Sequence, residues 1–150
     1  MDVDEFFSTF MDKLETELGD QHKHIISEVF GGRLAHQVKC KECGQESVRE
    51  EPCISMSIQV KDKHNIQEGF DEYIKGEVLD GQNAYSCDPC HKKVTAHKST
   101  KISALPNYLF VVMKRFEFDL HQMKKIKIND YCEYPHEINM FKYCTKDLKN

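Results

Sequence analysis

The chain has 150 residues, 39% hydrophobic and 31% charged, with a formal net charge of -4 and seven cysteines. That length suits one soluble domain with a core of its own and leaves too little for two. The negative balance gives no general case for nucleic-acid binding, and no apolar run is long enough to span a bilayer, so neither nucleic acid nor membrane is an expected partner.

The opening Met1-Asp2-Val3-Asp4-Glu5 lacks the basic start of a secretory signal, and an odd number of cysteines makes a poor disulfide framework. Both predict a reducing compartment, cytoplasmic or nuclear. Phe6, Phe7, Phe10, Met11, Leu14 and Leu18 recur at helical spacing, so an amphipathic helix is predicted from Asp2 to about Leu18, capped by Asp2-x-x-Glu5 and stopped by Gly19. A short helix over Ile25 to Phe30 ends at Gly31-Gly32. The period then changes to two: Leu34, His36 and Val38 mark one strand, and Ile54, Met56, Ile58 and Val60 mark another. Asn65-x-x-Glu68 opens a helix carrying Ile66, Phe70, Tyr73 and Ile74, which Gly76 interrupts.

Val94 to Ile102 is polar and β-branched, as expected of an exposed strand. Tyr108 to Met113 is the most apolar run and predicts a central strand buried on both faces. Ile126, Ile128 and Asp130 mark an edge-like strand that Tyr134-Pro135 closes. This order of elements predicts an α+β fold with an antiparallel sheet.

Two Cys-x-x-Cys pairs, Cys40/Cys43 and Cys87/Cys90, flank the middle of the chain. Each spacer lets a tight turn aim two sulfurs at one ion, so four thiolates make a tetrahedral site suited to structural zinc. Gly44 follows the first pair where a left-handed residue is wanted, and Asp88-Pro89 fills the second with turn formers. A redox dithiol, an inter-pair disulfide and reduced buried thiols are the alternatives, and duplication of the pair argues against the first. Cys53, Cys132 and Cys144 read as small apolar fillers; none is followed by the capped helix that would activate a nucleophile. His91 adjoins the second pair as a neighbour of the site. Lys114-Arg115-Phe116 has two readings: a basic pair meeting solvent while Phe116 returns to the core, or a strand end lining a groove for an extended, partly acidic segment.

These residues add up to a pattern that resembles the middle of a ubiquitin-specific protease catalytic domain, in its large fat-facets-like branch. Asp2-x-x-Glu5-Phe6 with its aromatic helix, Phe30-Gly31-Gly32, the knuckle Ala84 to Lys93, Leu105-Pro106 with Lys114-Arg115-Phe116-Glu117-Phe118-Asp119, and Asn129 to Pro135 are similar to five family boxes in order. The resemblance implies a partial papain-like domain: a helical thumb-side segment over 1–32, fingers with a zinc ribbon over 33–104 and palm strands over 105–150. It further implies zinc at Cys40, Cys43, Cys87 and Cys90, ubiquitin or ubiquitinated proteins as partners, and Asp2 and Glu5 near the basic tail of ubiquitin, a use that competes with capping the helix. The family's nucleophile lies in a Gly-Asn-Thr-Cys-Tyr box before this helix and its general base in a Gly-His-Tyr box after Tyr143, and residues 1–150 contain neither. The expectation is a portion of a cysteine-type deubiquitinase that is inactive alone. The alternative is a non-catalytic zinc module that binds ubiquitin or another partner.

Overall fold

A computed structural model describes residues 3–149. Helix α1 runs Val3–His22 and α2 runs His24–Phe30. Gly19, expected to stop α1, instead breaks it locally at φ 68° and ψ 174°, and helical bonding resumes beyond the break. No helix among the described residues is long and apolar enough to cross a membrane.

Strands β1 (Gly32–Cys40), β2 (Glu46–Cys53), β4 (Glu77–Leu79), β7 (Ala96–Ala104) and β11 (Cys144–Lys149) make the main sheet, in the order β11-β7-β1-β2 with β4 also on β7. Its pairings are antiparallel except that of β11 with β7. Helix α3 (Ile66–Lys75) packs on it, and its predicted cap is present: the Glu68 amide donates to Asn65 Oδ1 at 3.0 Å. The core beneath α3 gathers Leu34, Met56, Ile58, Phe70, Ile102, Tyr143 and Cys144. Phe70 and Tyr143 stack with centroids 5.0 Å apart, and the Tyr143 hydroxyl donates to the Gln67 carbonyl at 3.3 Å.

Three expectations change. The run Val94 to Ile102 spans the end of β6 (Lys92–Val94) and most of β7, and β7 is the central strand of the main sheet rather than an exposed one. Its polar composition misled because position in a sheet is set by backbone pairing with β1 and β4; Ala96, Ser99, Ile102 and Ser103 still turn inward. The apolar run Tyr108 to Met113 yields β8 (Phe110–Lys114), which among the described residues pairs only with β3 (Ser55–Gln59), in parallel, and is half-buried. Its apolar side chains meet Phe7 and Phe30 from the two N-terminal helices, at 4.5 and 5.1 Å from the Phe110 ring, instead of a second covering layer. A groove of about 530 Å³ is left beside it, lined by Val3, Phe7, Phe110, Met113, Arg115 and Phe116 among others. Finally, the edge-like strand begins earlier, as β10 (Lys124–Lys127) in a hairpin with β9 (Phe116–Asp119), while Ile128 is buried just past it.

Gly76 ends α3 at φ 74° and ψ -172°, a region open in practice to glycine alone. A Cβ there would lie 2.2 Å from the Lys98 carbonyl oxygen. Gly76→Ala is therefore expected to lower stability by roughly 2–4 kcal/mol, read as a drop in the urea midpoint at constant slope.

Candidate metal centre

Each knuckle grows from a strand end. Cys40 closes β1, the chain turns through Cys43, and Gly44 takes φ 75°, the left-handed conformation its position predicted. The turn is held by the Cys40 amide on the Gln45 carbonyl at 2.9 Å and the Gly44 amide on the Cys40 carbonyl at 3.1 Å. Cys87 closes β5 (Tyr85–Cys87), and after Cys90 the left-handed position is taken by His91 at φ 52°, so His91 serves the turn. β5 pairs with β6, and Cys40 faces Ala96 across β1 and β7, which brings the knuckles together. The Lys92 ammonium meets the Glu42 carboxylate at 2.7 Å and ties one to the other; sequence alone carries no signal for this contact.

The four Sγ atoms lie within 4.8 Å of one another, with Cys43 to Cys87 at 3.6 Å and Cys40 to Cys90 at 3.9 Å. A tetrahedron with metal–sulfur bonds of 2.3 Å has edges of about 3.8 Å, so the donor set fits a thiolate-binding ion of zinc's size. Cys40 and Cys87 are buried with Val94 in a small apolar cluster against which Tyr85 and Cys90 pack, separate from the core under α3. Backbone N–H donation, chiefly from Cys43, brings the Cys40 thiol down to about 7. Hydrogen bonding to Cys43 and then burial push Cys90 up to about 12, and burial raises Cys87.

A metal must displace these protons. The raised thiols stay protonated below their folded values, so acid competes with the ion and affinity falls as pH falls. Cys87 and Cys90 each contribute about a tenfold loss per pH unit below neutrality, and Cys40 adds to this below about 7, so metal affinity measured by chelator competition is expected to drop at least about 100-fold per unit. A flat profile would contradict four-thiolate ligation.

The other cysteines stand apart. Cys132 and Cys144 are buried, and Cys53 packs at the edge of the core, as fillers should. Burial pushes all three thiols up, the opposite of activation. The Cys144 thiol donates to the Met140 carbonyl at 3.1 Å, and among the described residues no cysteine is hydrogen-bonded to a histidine. Glu5 is exposed in the first turn of α1, where its carbonyl accepts from Thr9 Oγ1 at 2.9 Å. Asp2 lies outside the described residues. Arg115 donates to the carbonyls of Ile128 at 3.4 Å and Asp130 at 2.8 Å, and Phe116 is 48% exposed, so Phe116 does not return to the core; both residues line the groove beside β8.

Fold and cluster together define an α+β domain whose sheet ends in a tetrathiolate ribbon. The family described as ubiquitin carboxyl-terminal hydrolase matches residues 1–150, and the chain belongs to that family. It is 36% identical over 150 residues to the human ubiquitin carboxyl-terminal hydrolase 9Y, covering 99% of this chain and 6% of that protein. To the probable ubiquitin carboxyl-terminal hydrolase FAF of Drosophila melanogaster it is 34% identical, covering 98% of this chain and 5% of that protein. Among solved structures, the Ubp8/Sgf11/Sus1/Sgf73 deubiquitinating module of SAGA bound to ubiquitin aldehyde superposes with a TM-score of 0.85 at 28% identity, over 97% of this chain and 33% of that one. The chain thus spans a small fraction of the curated relatives and a third of the solved neighbour.

Proposed function

We propose that residues 1–150 are the thumb-side helix, fingers and palm strands of a cysteine-type deubiquitinase, with the divisions 1–32, 33–104 and 105–150. The observation that carries the reading is the family match across the whole chain, joined to a fold like that of a module solved with ubiquitin aldehyde. In this reading Cys40, Cys43, Cys87 and Cys90 hold zinc, which supplies a rigid crosslink at the fingertip and takes no part in bond cleavage. Ubiquitin, free or on proteins, is the partner, with Asp2 and Glu5 accepting hydrogen bonds from its basic tail. Work in a reducing compartment keeps the thiols available to the metal.

Residues 1–150 by themselves do not hydrolyse ubiquitin conjugates: hydrolysis needs a low-pKa thiol beside a histidine, and no described cysteine meets that requirement. A ubiquitin-based electrophilic probe is expected to leave the chain unmodified, and labelling at Cys53, Cys132 or Cys144 would overturn this. Titration into isotope-labelled ubiquitin is expected to shift resonances weakly, since only part of the family's interface is present. No shift at about millimolar protein would remove ubiquitin as the partner of this portion.

A further inference from the structure

The two knuckles are held against each other at points other than the metal. The Lys41 amide donates to the Thr95 carbonyl at 3.0 Å, which ties the first knuckle to the connection between β6 and β7, and Cys40 lies opposite Ala96 in the β1–β7 register. Pairing of Cys87 with Lys92 fixes the second knuckle to that same connection, and the Lys92–Glu42 ion pair at 2.7 Å bridges the two. These contacts set the Cys43 and Cys87 sulfurs 3.6 Å apart, in van der Waals contact, although the residues are 44 positions apart in the chain. Within the first knuckle the Cys40 sulfur instead accepts the Cys43 amide at 3.4 Å, so it engages the backbone while the Cys43 sulfur faces Cys87. Nor are the four thiols equally enclosed: Cys40 and Cys87 are buried, Cys90 is half-buried and Cys43 is exposed.

We infer that Cys43 and Cys87 form a peroxide-sensitive pair: an oxidant of the hydroperoxide class joins them in a disulfide across the knuckles, which frees the metal and leaves the fingertip crosslinked by the chain's own sulfur. The inference rests on the four thiols being a metal site and adds an oxidised state to it. The Cys43 thiolate attacks the hydroperoxide; a sulfur–oxygen bond forms as the oxygen–oxygen bond breaks, and the alkoxide that leaves takes a proton from solvent. The Cys87 thiolate then attacks the Cys43 sulfur; the sulfur–sulfur bond forms as the sulfur–oxygen bond breaks, and the departing hydroxide takes a second proton to become water. Two thiolates lose two electrons in all, and the hydroperoxide gains them to become alcohol and water. Should Cys87 be oxidised first, Cys43 closes the same bond, because the contact is mutual. Cys40 and Cys90 then remain as two thiols, half the donors that tetrahedral zinc requires. A small-molecule thiol reverses the change, its own oxidation to a disulfide returning two electrons to Cys43 and Cys87.

The test treats the zinc-loaded chain, freed of reductant, with hydrogen peroxide, follows metal release with a chromogenic chelator, and maps disulfides by mass spectrometry of unreduced peptides. About one zinc is expected to leave per chain as about two of the seven thiols are lost, with Cys43–Cys87 the dominant link. Dithiothreitol with added zinc should restore the metal content. Amide exchange over Tyr85–Cys87 and Lys92–Val94 should stay at least about tenfold slower in the oxidised chain than in reduced chain stripped by chelator, since only the former keeps a crosslink. The inference fails if links within a knuckle or between Cys40 and Cys90 dominate, if zinc leaves with sulfinic acid and no disulfide, if reduction does not restore binding, or if oxidised and stripped chains exchange alike. A chain that carries no zinc before treatment overturns the metal site along with this inference, whereas a zinc-loaded chain that links wrongly overturns this inference alone.

Discussion

Cys87→Ser is expected to strip the metal from the chain and melt the fingertip while leaving the rest folded. Purified protein should carry about one zinc per chain, because structural zinc on thiolates contributes about 10–16 kcal/mol at neutral pH, several times what so small an apolar cluster could supply. That cluster holds three buried residues, Cys40, Cys87 and Val94, two of them members of the four-thiol group. With a hydroxyl in place of one thiolate, metal content after dialysis against a chelator should fall to a small fraction of one. Amide exchange should rise over Tyr85–Cys87, Lys92–Val94 and the end of β1, and stay slow around Phe70, which belongs to a separate cluster. Cys132→Ser, a buried thiol away from the site, is the control and should retain the metal. Metal-free protein of unchanged stability would sink the site.

Phe70→Ala should be the most damaging change elsewhere, costing about 3–5 kcal/mol, a large share of the 5–15 kcal/mol that holds a typical domain. Phe70 is 1% exposed and packs α3 onto the sheet through Met56, Ile58 and the Tyr143 ring. Its removal opens a cavity against the Tyr143 ring, since both rings are fully buried there. Tyr143→Phe offers the contrast: the ring stays and only the hydrogen bond to the Gln67 carbonyl goes, for about 1 kcal/mol. Urea denaturation of both variants separates packing from hydrogen bonding. A cost below about 1 kcal/mol for Phe70→Ala would mean that α3 is not held by this contact.

Much of the local structure was legible in the residues because its causes are local. The helical stripe from Phe6 to Leu18, the Asn65–Glu68 cap and the left-handed Gly44 follow from side-chain spacing and backbone sterics within a few positions. The four-cysteine cluster was legible for the same reason, since the Cys-x-x-Cys spacing within each pair is local. Sheet position was not. Polar β7 is central and apolar β8 is half-exposed, because pairing partners far along the chain decide which strand is inside, and those partners leave no mark on the strand's own composition. The β9–β10 hairpin was legible only as far as Lys114-Arg115-Phe116; that Phe116 and Phe118 share a face with Lys127 and Lys125 depends on register.

The sequence by itself determined the family, the four clustered cysteines and the three helices, all of which reside in residue identity and short-range spacing. Tertiary structure alone decided that the two knuckles meet with sulfurs 3.6 and 3.9 Å apart, and that β7 is the spine of the sheet. The physical reason is shared: each depends on which distant backbone segments pair and in which register, a choice made by the burial of the whole chain rather than by any one stretch of it.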